Sequence, residues 1–178
     1  MSTLETPREP GLTTAACLPP GLPAPVADDL SRPFWEGLRD GVLRVQRCQA
    51  CGTWQWGPEW ICHRCHADDP AWVAIAPEGR IYSWERAWHP VHPALKGFGP
   101  YVVVLVELPH AGGIRMLGNL VGDPFQPFRI GDPVTGVFEH HGAGAAGTAV
   151  DAGGESVRRF TLLQWQRAGA AGVGWRAG

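Results

Sequence analysis

The stretch CQACGTWQWGPEWICHRCH, residues 48–66, decides how the first half of this chain folds. It holds four of the five cysteines of the chain, as two Cys-x-x-Cys pairs separated by ten residues. Each pair forms a tight knuckle that directs two thiolates at one point, and four converging thiolates suit a tetrahedral zinc. We therefore predict a structural zinc site with four ligands, Cys48, Cys51, Cys62 and Cys65.

Two histidines in this stretch, His63 and His66, are alternative ligands, but four cysteines in register favour all-thiolate coordination. The same spacing also suits a redox-active iron, which would colour the protein as zinc does not. Gly52 follows the first knuckle, where the backbone often needs a positive φ, and His66 holds the same place after the second. We expect the second turn to be less favourable. A zinc with four protein ligands has no open position for water, so its predicted role is structural.

Three tryptophans, Trp54, Trp56 and Trp60, lie between the two knuckles. Trp54 and Trp56 alternate as on one face of a strand. We interpret them as cover for the metal site or as contacts that dock the ribbon on the rest of the chain; a platform for an acyl chain or a base is the alternative. The fifth cysteine, Cys17, is predicted to be a free surface thiol.

The residues around the cysteine stretch divide the chain into four parts. Residues 1–28 are rich in proline and poor in aromatic residues, which predicts a flexible leader. Ser31, Pro33 and Gly41 are typical of the cap, first turn and end of a helix, which we predict at about 31–40. Residues 42–47 predict a strand, and residues 67–80 are expected to turn out of the metal site. The helix and the zinc ribbon form the predicted unit 29–76.

Five runs rich in β-branched and aromatic residues follow, at 81–88, 101–109, 114–122, 133–141 and 157–166. Glycine and proline turns join them, and a Gly/Ala-rich loop precedes the last run. Five short strands in about 85 residues are the right number for a small closed or partly open barrel. We predict a mainly β fold, with a barrel unit over 77–168 and a flexible tail over 169–178.

The charge of the chain argues against nucleic acid as a partner. It carries 15 Lys and Arg against 17 Asp and Glu, and residues 77–140 carry five against six. Single-stranded nucleic acid, a common ligand of small barrels, needs a cationic groove, so this function is the less favoured one. The sequence has no signal-peptide pattern and no run of about 20 apolar residues. We expect a cytoplasmic protein that binds no membrane.

The sequence contains no recognisable catalytic set. It has no Gly-x-Ser-x-Gly elbow, phosphate loop, dinucleotide fingerprint or His-Glu-x-x-His motif. A proline-rich loop nevertheless brings histidines and aromatic residues together, and such groups on an exposed connection indicate contact with a partner or ligand. The candidate contact residues are Trp88, His89, His92, Phe98 and Tyr101.

The order of helix, four-cysteine ribbon and five-strand barrel resembles the DUF35 or acyl-CoA-associated family, which joins a rubredoxin-like zinc ribbon to an OB-fold. The resemblance covers about residues 29–168. His66 departs from the glycine commonly found there, and the Gly/Ala insert after His141 is longer than a plain hairpin needs. The matching stretches are FWEGLRDGVLRVQRCQACG, ICHRC, GRIYSWERAWHP, PYVVVLVELP, IRMLGNLVG and IGDPVTGVFE.

The resemblance implies an auxiliary subunit without activity of its own. Such proteins accompany a thiolase-like subunit that makes or breaks a carbon–carbon bond in a CoA thioester, and they bind the acyl-CoA or shape the partner's site. The alternative within the family is a MaoC-like enoyl-CoA hydratase as partner; this chain is too short to contain a fused hotdog domain. The sequence does not distinguish among three kinds of acyl group: a steroid side chain, an aromatic acid and a short aliphatic acid.

Overall fold

The computed structural model describes residues 18, 22–68, 70–89, 91–97, 100–142 and 159–168. These ranges form one α-helix, α1 (Arg32–Arg39), and two antiparallel sheets. The first sheet contains β1 (Leu43–Cys48), β2 (Trp54–Gln55) and β3 (Pro70–Ile75), in the order β2-β1-β3. The second contains β4 (Glu78–Ala87), β5 (Tyr101–Leu108), β6 (Ile114–Asn119), β7 (Pro133–His141) and β8 (Phe160–Arg167), in the order β6-β5-β4-β7-β8. The prediction of a mainly β fold with one short helix is confirmed.

Helix α1 begins where the sequence predicts but without the predicted side-chain cap. Ser31 is the N-cap residue and Pro33 lies in the first turn. The Ser31 hydroxyl donates to Asp28 Oδ1 at 2.5 Å, so it does not accept a hydrogen bond from the helix. The Ser31 N–H also donates to this carboxylate, at 2.7 Å. Gly41 follows the helix with a φ of 72°, a conformation that glycine adopts without strain.

Strand β3 corrects the prediction that residues 67–80 only turn out of the metal site. It pairs along the whole of β1, from Leu43 opposite Ile75 to Cys48 opposite Pro70. Most of its residues are half-buried, because both faces of the strand are partly covered. Its apolar residues therefore do not alternate with polar ones, and the period of two that identifies a strand is missing from the sequence.

The five strands of the second sheet form a nearly closed OB-fold barrel. Alternate residues of β5 are buried, as expected for a strand with one face on the core. The gap between β6 and β8 is bridged at Leu120 and Trp165, and the Val121 N–H donates to the Trp165 carbonyl at 2.8 Å. The register of β4 against β5 shifts between Ile81 and Ser83, and such a bulge bends a strand.

One hydrophobic core joins the helix, the ribbon and the barrel. Phe34 and Leu38 of α1 are buried and belong to the same cluster as Leu43 and Val45 of β1. The same cluster continues into the barrel through residues such as Trp165. The ribbon is therefore packed on the barrel and not merely tethered to it. In the described ranges, no helix is long and apolar enough to cross a bilayer.

Candidate functional site

The four predicted cysteine ligands converge at one end of the ribbon. Their Sγ atoms all lie within 4.8 Å of one another. Cys48 and Cys65 are 3.5 Å apart, and Cys51 and Cys62 are 3.7 Å apart. A tetrahedral zinc with Zn–S bonds of about 2.3 Å places its sulfurs about 3.8 Å apart. The four thiolates therefore fit one zinc ion.

The two knuckles repeat the same backbone hydrogen bonds. The Gly52 N–H donates to the Cys48 carbonyl and the His66 N–H to the Cys62 carbonyl, both at 2.9 Å. In the part of the chain that the structure describes, His66 is the one residue other than glycine with a positive φ, 61°. This agrees with the expectation of a less favourable second turn. Neither His63 nor His66 joins the group of converging ligand atoms, so the all-cysteine site fits best.

The thiols at the site differ in acidity. Hydrogen bonds from the Thr53 side chain and backbone lower the pKa of Cys51 to about 6. A backbone hydrogen bond at Ala67 lowers the pKa of Cys65, but the neighbouring Cys51 and Cys48 thiols and burial outweigh it and raise that pKa to about 12. Four negative thiolates this close repel one another, and a divalent cation removes the repulsion. Metal binding at this site therefore releases protons.

Two buried glutamines hold the chain between the knuckles. Gln46 on β1 faces Gln55 on β2, and the Gln46 Oε1 accepts from Gln55 Nε2 at 3.0 Å. The Gln46 amide also bonds both backbone groups of Glu59, accepting from its N–H at 2.9 Å and donating to its carbonyl at 3.1 Å. These bonds fix the return of the chain toward Cys62. Sequence reasoning did not predict this anchor.

Of the two interpretations of Trp54 and Trp56, cover for the metal site or docking contacts, the structure favours docking. Trp54 lies against Gly112 in the turn between β5 and β6, where an added Cβ would come within 3.0 Å of Trp54 Cδ1. The Trp56 ring centroid is 4.6 Å from that of Phe34 on α1. Trp60 is 65% exposed and makes no such contact in the core.

An apolar groove of about 660 Å³ lies between α1, the ribbon and the outer face of the barrel. Its volume is within the range of small-molecule sites, roughly 300–1,000 Å³. The barrel side is formed by β5, β6 and β8, and OB-folds commonly bind ligands on the face of their second and third strands, here β5 and β6. The apolar lining includes Trp35, Leu38, Trp56, Val103, Leu105 and Leu117.

The predicted contact residues that the structure describes lie between the end of β4 and the start of β5. Trp88 and His89, which follow β4, are exposed, whereas Tyr101 at the start of β5 is half-buried. His92 has a local structural task, since its Nδ1 accepts from the N–H of Ala94 at 3.2 Å and caps a short 3₁₀ helix. Phe98 lies outside the described residues, as does Cys17.

A cluster beside Trp88 was not predicted, and we call it the aromatic patch. Arg86 is its centre: the guanidinium carbon lies 4.9 Å from the Phe125 ring centroid and 5.6 Å from that of Trp84. Phe125 also contacts Trp88, at 5.9 Å between centroids, and Trp84 contacts Phe128, at 5.0 Å. The alternation of Trp84, Arg86 and Trp88, along β4 and just past its end, was visible in the sequence. The contribution of the loop between β6 and β7 was not.

The remaining histidines have partners within the fold. His110 Nε2 lies 3.0 Å from the Ala76 carbonyl, between the ribbon and the barrel. His140 Nδ1 lies 2.8 Å from the Thr161 hydroxyl. His141 Nε2 lies 3.0 Å from Glu139 Oε1, an ion pair when the imidazole is protonated. These three histidines make contacts within the fold, and none of the three contacts pairs an exposed nucleophile with a base.

Glu139 on β7 is a fully buried carboxylate. Its hydrogen bonds connect β7 to Leu18 and to β8, and through Gln164 to β6. Gln164 Nε2 donates to its Oε2 at 2.6 Å, and the Leu18 N–H donates to its Oε1 at 2.7 Å. Gln164 Oε1 in turn accepts from the Asn119 N–H at 2.6 Å. Burial raises the pKa of Glu139, but His141, Gln164 and Leu18 outweigh it and hold the pKa below its usual value.

The fold and the four-cysteine site define a protein that joins a rubredoxin-like zinc ribbon to an OB-fold. Family models match both halves: the rubredoxin-like zinc ribbon domain of ChsH2 over residues 35–71, and the C-terminal OB-fold domain of ChsH2 over residues 72–139. A solved structure, the Ltp2-ChsH2(DUF35) aldolase, contains a chain 32% identical to this one. The match has a TM-score of 0.61 and covers 82% of this chain and 99% of that chain. This chain belongs to the ChsH2 family of DUF35 proteins.

Two further proteins are similar to this chain over part of its length. A DUF35-family protein of unknown function from Sulfolobus solfataricus is 16% identical, with a TM-score of 0.48 over 62% of this chain and 78% of that chain. A Thermomonospora curvata protein named "Probable enoyl-CoA hydratase alpha subunit" is 42% identical over 102 residues. This alignment covers 57% of this chain but 31% of the relative, so the chain spans about a third of that protein.

Proposed function

We propose that this chain is a non-catalytic subunit of a thiolase-like or lipid-transfer-type aldolase complex. The complex would make or break a carbon–carbon bond in a CoA thioester, and this chain would bind the acyl-CoA or shape the partner's site. The observation that carries the proposal is the match to a chain of the Ltp2-ChsH2(DUF35) aldolase, at 32% identity over 99% of that chain.

The chemistry of the described residues supports a complex in which the partner subunit, and not this chain, carries the catalytic groups. Carbon–carbon cleavage of a thioester needs a positioned base and a stabiliser for the developing enolate. The metal site has four protein thiolates and therefore no open position for a substrate oxygen. In the proposed complex, the thiolase-like subunit supplies the nucleophile and the base.

The apolar groove is the part of this chain that we propose to hold the acyl group. It lies on the face that OB-folds commonly use for ligands, and both the helix and the ribbon add apolar walls to it. Burying an acyl chain of several methylenes there would contribute about 0.8 kcal/mol for each CH₂ group. Trp56 of the ribbon, which packs on Phe34 of α1, forms part of this wall.

A MaoC-like enoyl-CoA hydratase is the second candidate partner. The observation that favours it is the 42% identity to the Thermomonospora curvata protein named as a probable hydratase alpha subunit. The two candidates differ in the reaction expected of the complex, since a hydratase adds water to an enoyl-CoA and breaks no carbon–carbon bond.

Co-expression tests which partner this chain takes. The thiolase-like and MaoC-like proteins of the same genome are each co-expressed with this chain, and the mixtures are separated by size exclusion. We expect a stable complex with a thiolase-like subunit. The complex, but not this chain by itself, should cleave a carbon–carbon bond in an acyl-CoA. Cleavage by this chain alone, or separate elution of every pair at micromolar concentration, would refute the proposal. Hydration by a complex with the MaoC-like protein would select the second candidate.

One leucine and one isoleucine, Leu117 and Ile130, give a matched test of the groove. Leu117 lines it and Ile130 does not, and both side chains are 67% exposed. Leu117→Arg should weaken acyl-CoA binding by the complex about tenfold or more, because it places a charge against the acyl chain. Ile130→Arg should leave binding unchanged. Equal affinities of the two variants for an acyl-CoA would show that the groove does not hold the acyl group.

The partner contact is proposed at the connection between β4 and β5, whose sequence contains Trp88, His89, His92, Phe98 and Tyr101. The C-terminal strand β8 and the residues after it belong to the same proposal. Trp88→Ala with Phe98→Ala, or truncation after Ala168, should weaken the complex at least tenfold, because aromatic anchors typically cost about 2 kcal/mol or more when cut to alanine. Zinc content should stay unchanged in these variants.

A further inference from the structure

The aromatic patch contains an arginine that is fixed in place with part of its hydrogen-bonding capacity unused. The Arg86 Nε donates to the Pro124 carbonyl at 3.1 Å, and the Phe125 and Trp84 rings lie beside the guanidinium. Arg86 is only half-buried. A guanidinium held at one nitrogen and stacked on rings has already lost most of its rotamer freedom, so little further entropy is lost when it binds a ligand.

No carboxylate in the described part of the chain lies within ion-pair distance of Arg86. Its two terminal nitrogens make no hydrogen bond to any described residue. A planar guanidinium with both terminal nitrogens open matches one planar carboxylate through two parallel hydrogen bonds. The group that complements Arg86 is therefore a carboxylate from outside the described fold.

The surroundings of Arg86 are those of a protein interface. Trp88 is 60% exposed, Phe125 is 58% exposed and Trp84 is 42% exposed. Tryptophan and arginine are enriched among the residues that dominate binding energy at protein interfaces, and apolar neighbours that exclude water strengthen a charged pair. The patch includes Trp88, which contacts Phe125, so it is continuous with the partner contact proposed above.

We propose that Arg86 is the anchor of the subunit interface and receives an Asp or Glu carboxylate of the partner subunit, with Trp84, Trp88 and Phe125 as its apolar surround. This inference rests on the proposed function, because the partner is the subunit proposed there. It adds the chemistry that the partner must present: one acidic side chain among apolar ones.

Single-stranded nucleic acid is the competing ligand for a surface of aromatic residues and arginine. Such ligands need a track of cations for the phosphate backbone. The patch supplies Arg86 alone, and the nearest turn contains Asp123, whose carboxylate accepts from the Phe125 N–H at 2.8 Å. One cation next to an acidic turn matches one carboxylate better than a polyanion.

The test compares Arg86 with Arg115, a matched control. The Arg115 guanidinium carbon lies 3.4 Å from the Tyr82 ring centroid, but its Nε and one terminal nitrogen already bond Glu107 Oε1, at 3.1 and 3.0 Å. The affinity of each variant for the thiolase-like subunit is measured by titration, with zinc content and thermal denaturation as checks of folding. Arg86→Lys keeps the charge but loses the paired hydrogen bonds, so it should weaken the complex about tenfold or more. Arg115→Lys should change affinity less than about threefold.

Two further measurements extend the test, and the first of them keeps it decisive if Arg86 variants fold poorly. Phe125→Ala removes an exposed ring of the patch and should also weaken the complex. The wild-type affinity should fall as salt is raised, and Arg86→Gln should remove most of that dependence.

Each outcome has one meaning. Wild-type affinity and salt dependence in the Arg86 variants would overturn this inference while leaving the proposed function intact. Failure of the wild-type chain to bind any thiolase-like subunit would overturn both. Arg86-dependent binding of a single-stranded DNA 20-mer at physiological salt would replace the carboxylate with nucleic acid and also count against the inference.

Discussion

His66 holds, in the second knuckle, the backbone conformation that Gly52 holds in the first. Their φ angles are 61° and 72°, and each N–H donates at 2.9 Å to the carbonyl of the first cysteine of its knuckle. The left-handed conformation costs an ordinary L-residue about 1–2 kcal/mol, and glycine almost nothing. The metal site is thus built from one relaxed and one strained turn.

The first prediction concerns this strain. His66→Gly should stabilise the zinc-loaded protein by up to about 1 kcal/mol, and Gly52→Ala should destabilise it by a similar amount. Urea denaturation of the zinc-loaded proteins measures the free energy, and competition with a chromogenic chelator measures zinc retention. A loss of stability in His66→Gly would show that the histidine side chain contributes more than its backbone conformation costs.

The second prediction concerns the metal itself. Wild-type protein purified without chelator should contain about one zinc per chain, and Cys62→Ser should lose it, because three thiolates bind zinc far more weakly than four. The ribbon should unfold while the barrel strands stay paired. Elemental analysis and circular dichroism measure the two effects. Cys17→Ser is the matched control and should retain its zinc; full zinc in Cys62→Ser would contradict the site.

The third prediction is a pH dependence that arises from Glu139. The pKa of this carboxyl is lower in the folded protein than in the unfolded chain, so it contributes stability above the unfolded pKa of about 4.3. This contribution is lost as the pH falls through the lower, folded pKa. Glu139→Gln should therefore lose less stability than the wild type between about pH 6 and pH 3. Acid release of zinc and titration of Asp28, whose pKa is also lowered, affect both proteins alike. Parallel stability curves would refute the assignment.

The fourth prediction tests the closure of the barrel. An added Cβ at Gly118 on β6 would lie 2.7 Å from Trp165 Cδ1 and 2.8 Å from the Leu163 carbonyl. Gly118→Ala should destabilise the protein by about 1–3 kcal/mol, since neither the buried ring nor the backbone can move freely. Leu117→Ala, at an exposed neighbour, should have an effect within about 0.5 kcal/mol. Thermal denaturation followed by tryptophan fluorescence distinguishes the two. Equal stability of both variants would show that β6 and β8 can separate without cost.

The sequence determined the parts of this protein that depend on local patterns. Paired cysteines at fixed spacing predicted the metal site, because a knuckle is made by four or five consecutive residues. The β-branched runs predicted the five barrel strands, because one buried face imposes a period of two on the residues. The same local reasoning placed α1 and found the glycine at its end.

Only the tertiary structure decided which residues from distant segments meet. β3 was missed because both of its faces are partly covered and its apolar residues do not alternate. The Ser31 hydroxyl was assigned to the helix, but it binds Asp28. Arg86 and Phe125 are separated by 38 residues in sequence, and the aromatic patch does not exist until the loop between β6 and β7 folds over the end of β4. The groove does not exist until α1 and the ribbon meet the barrel. Contacts of this kind follow from the closure of the barrel, and no periodicity within one segment encodes them.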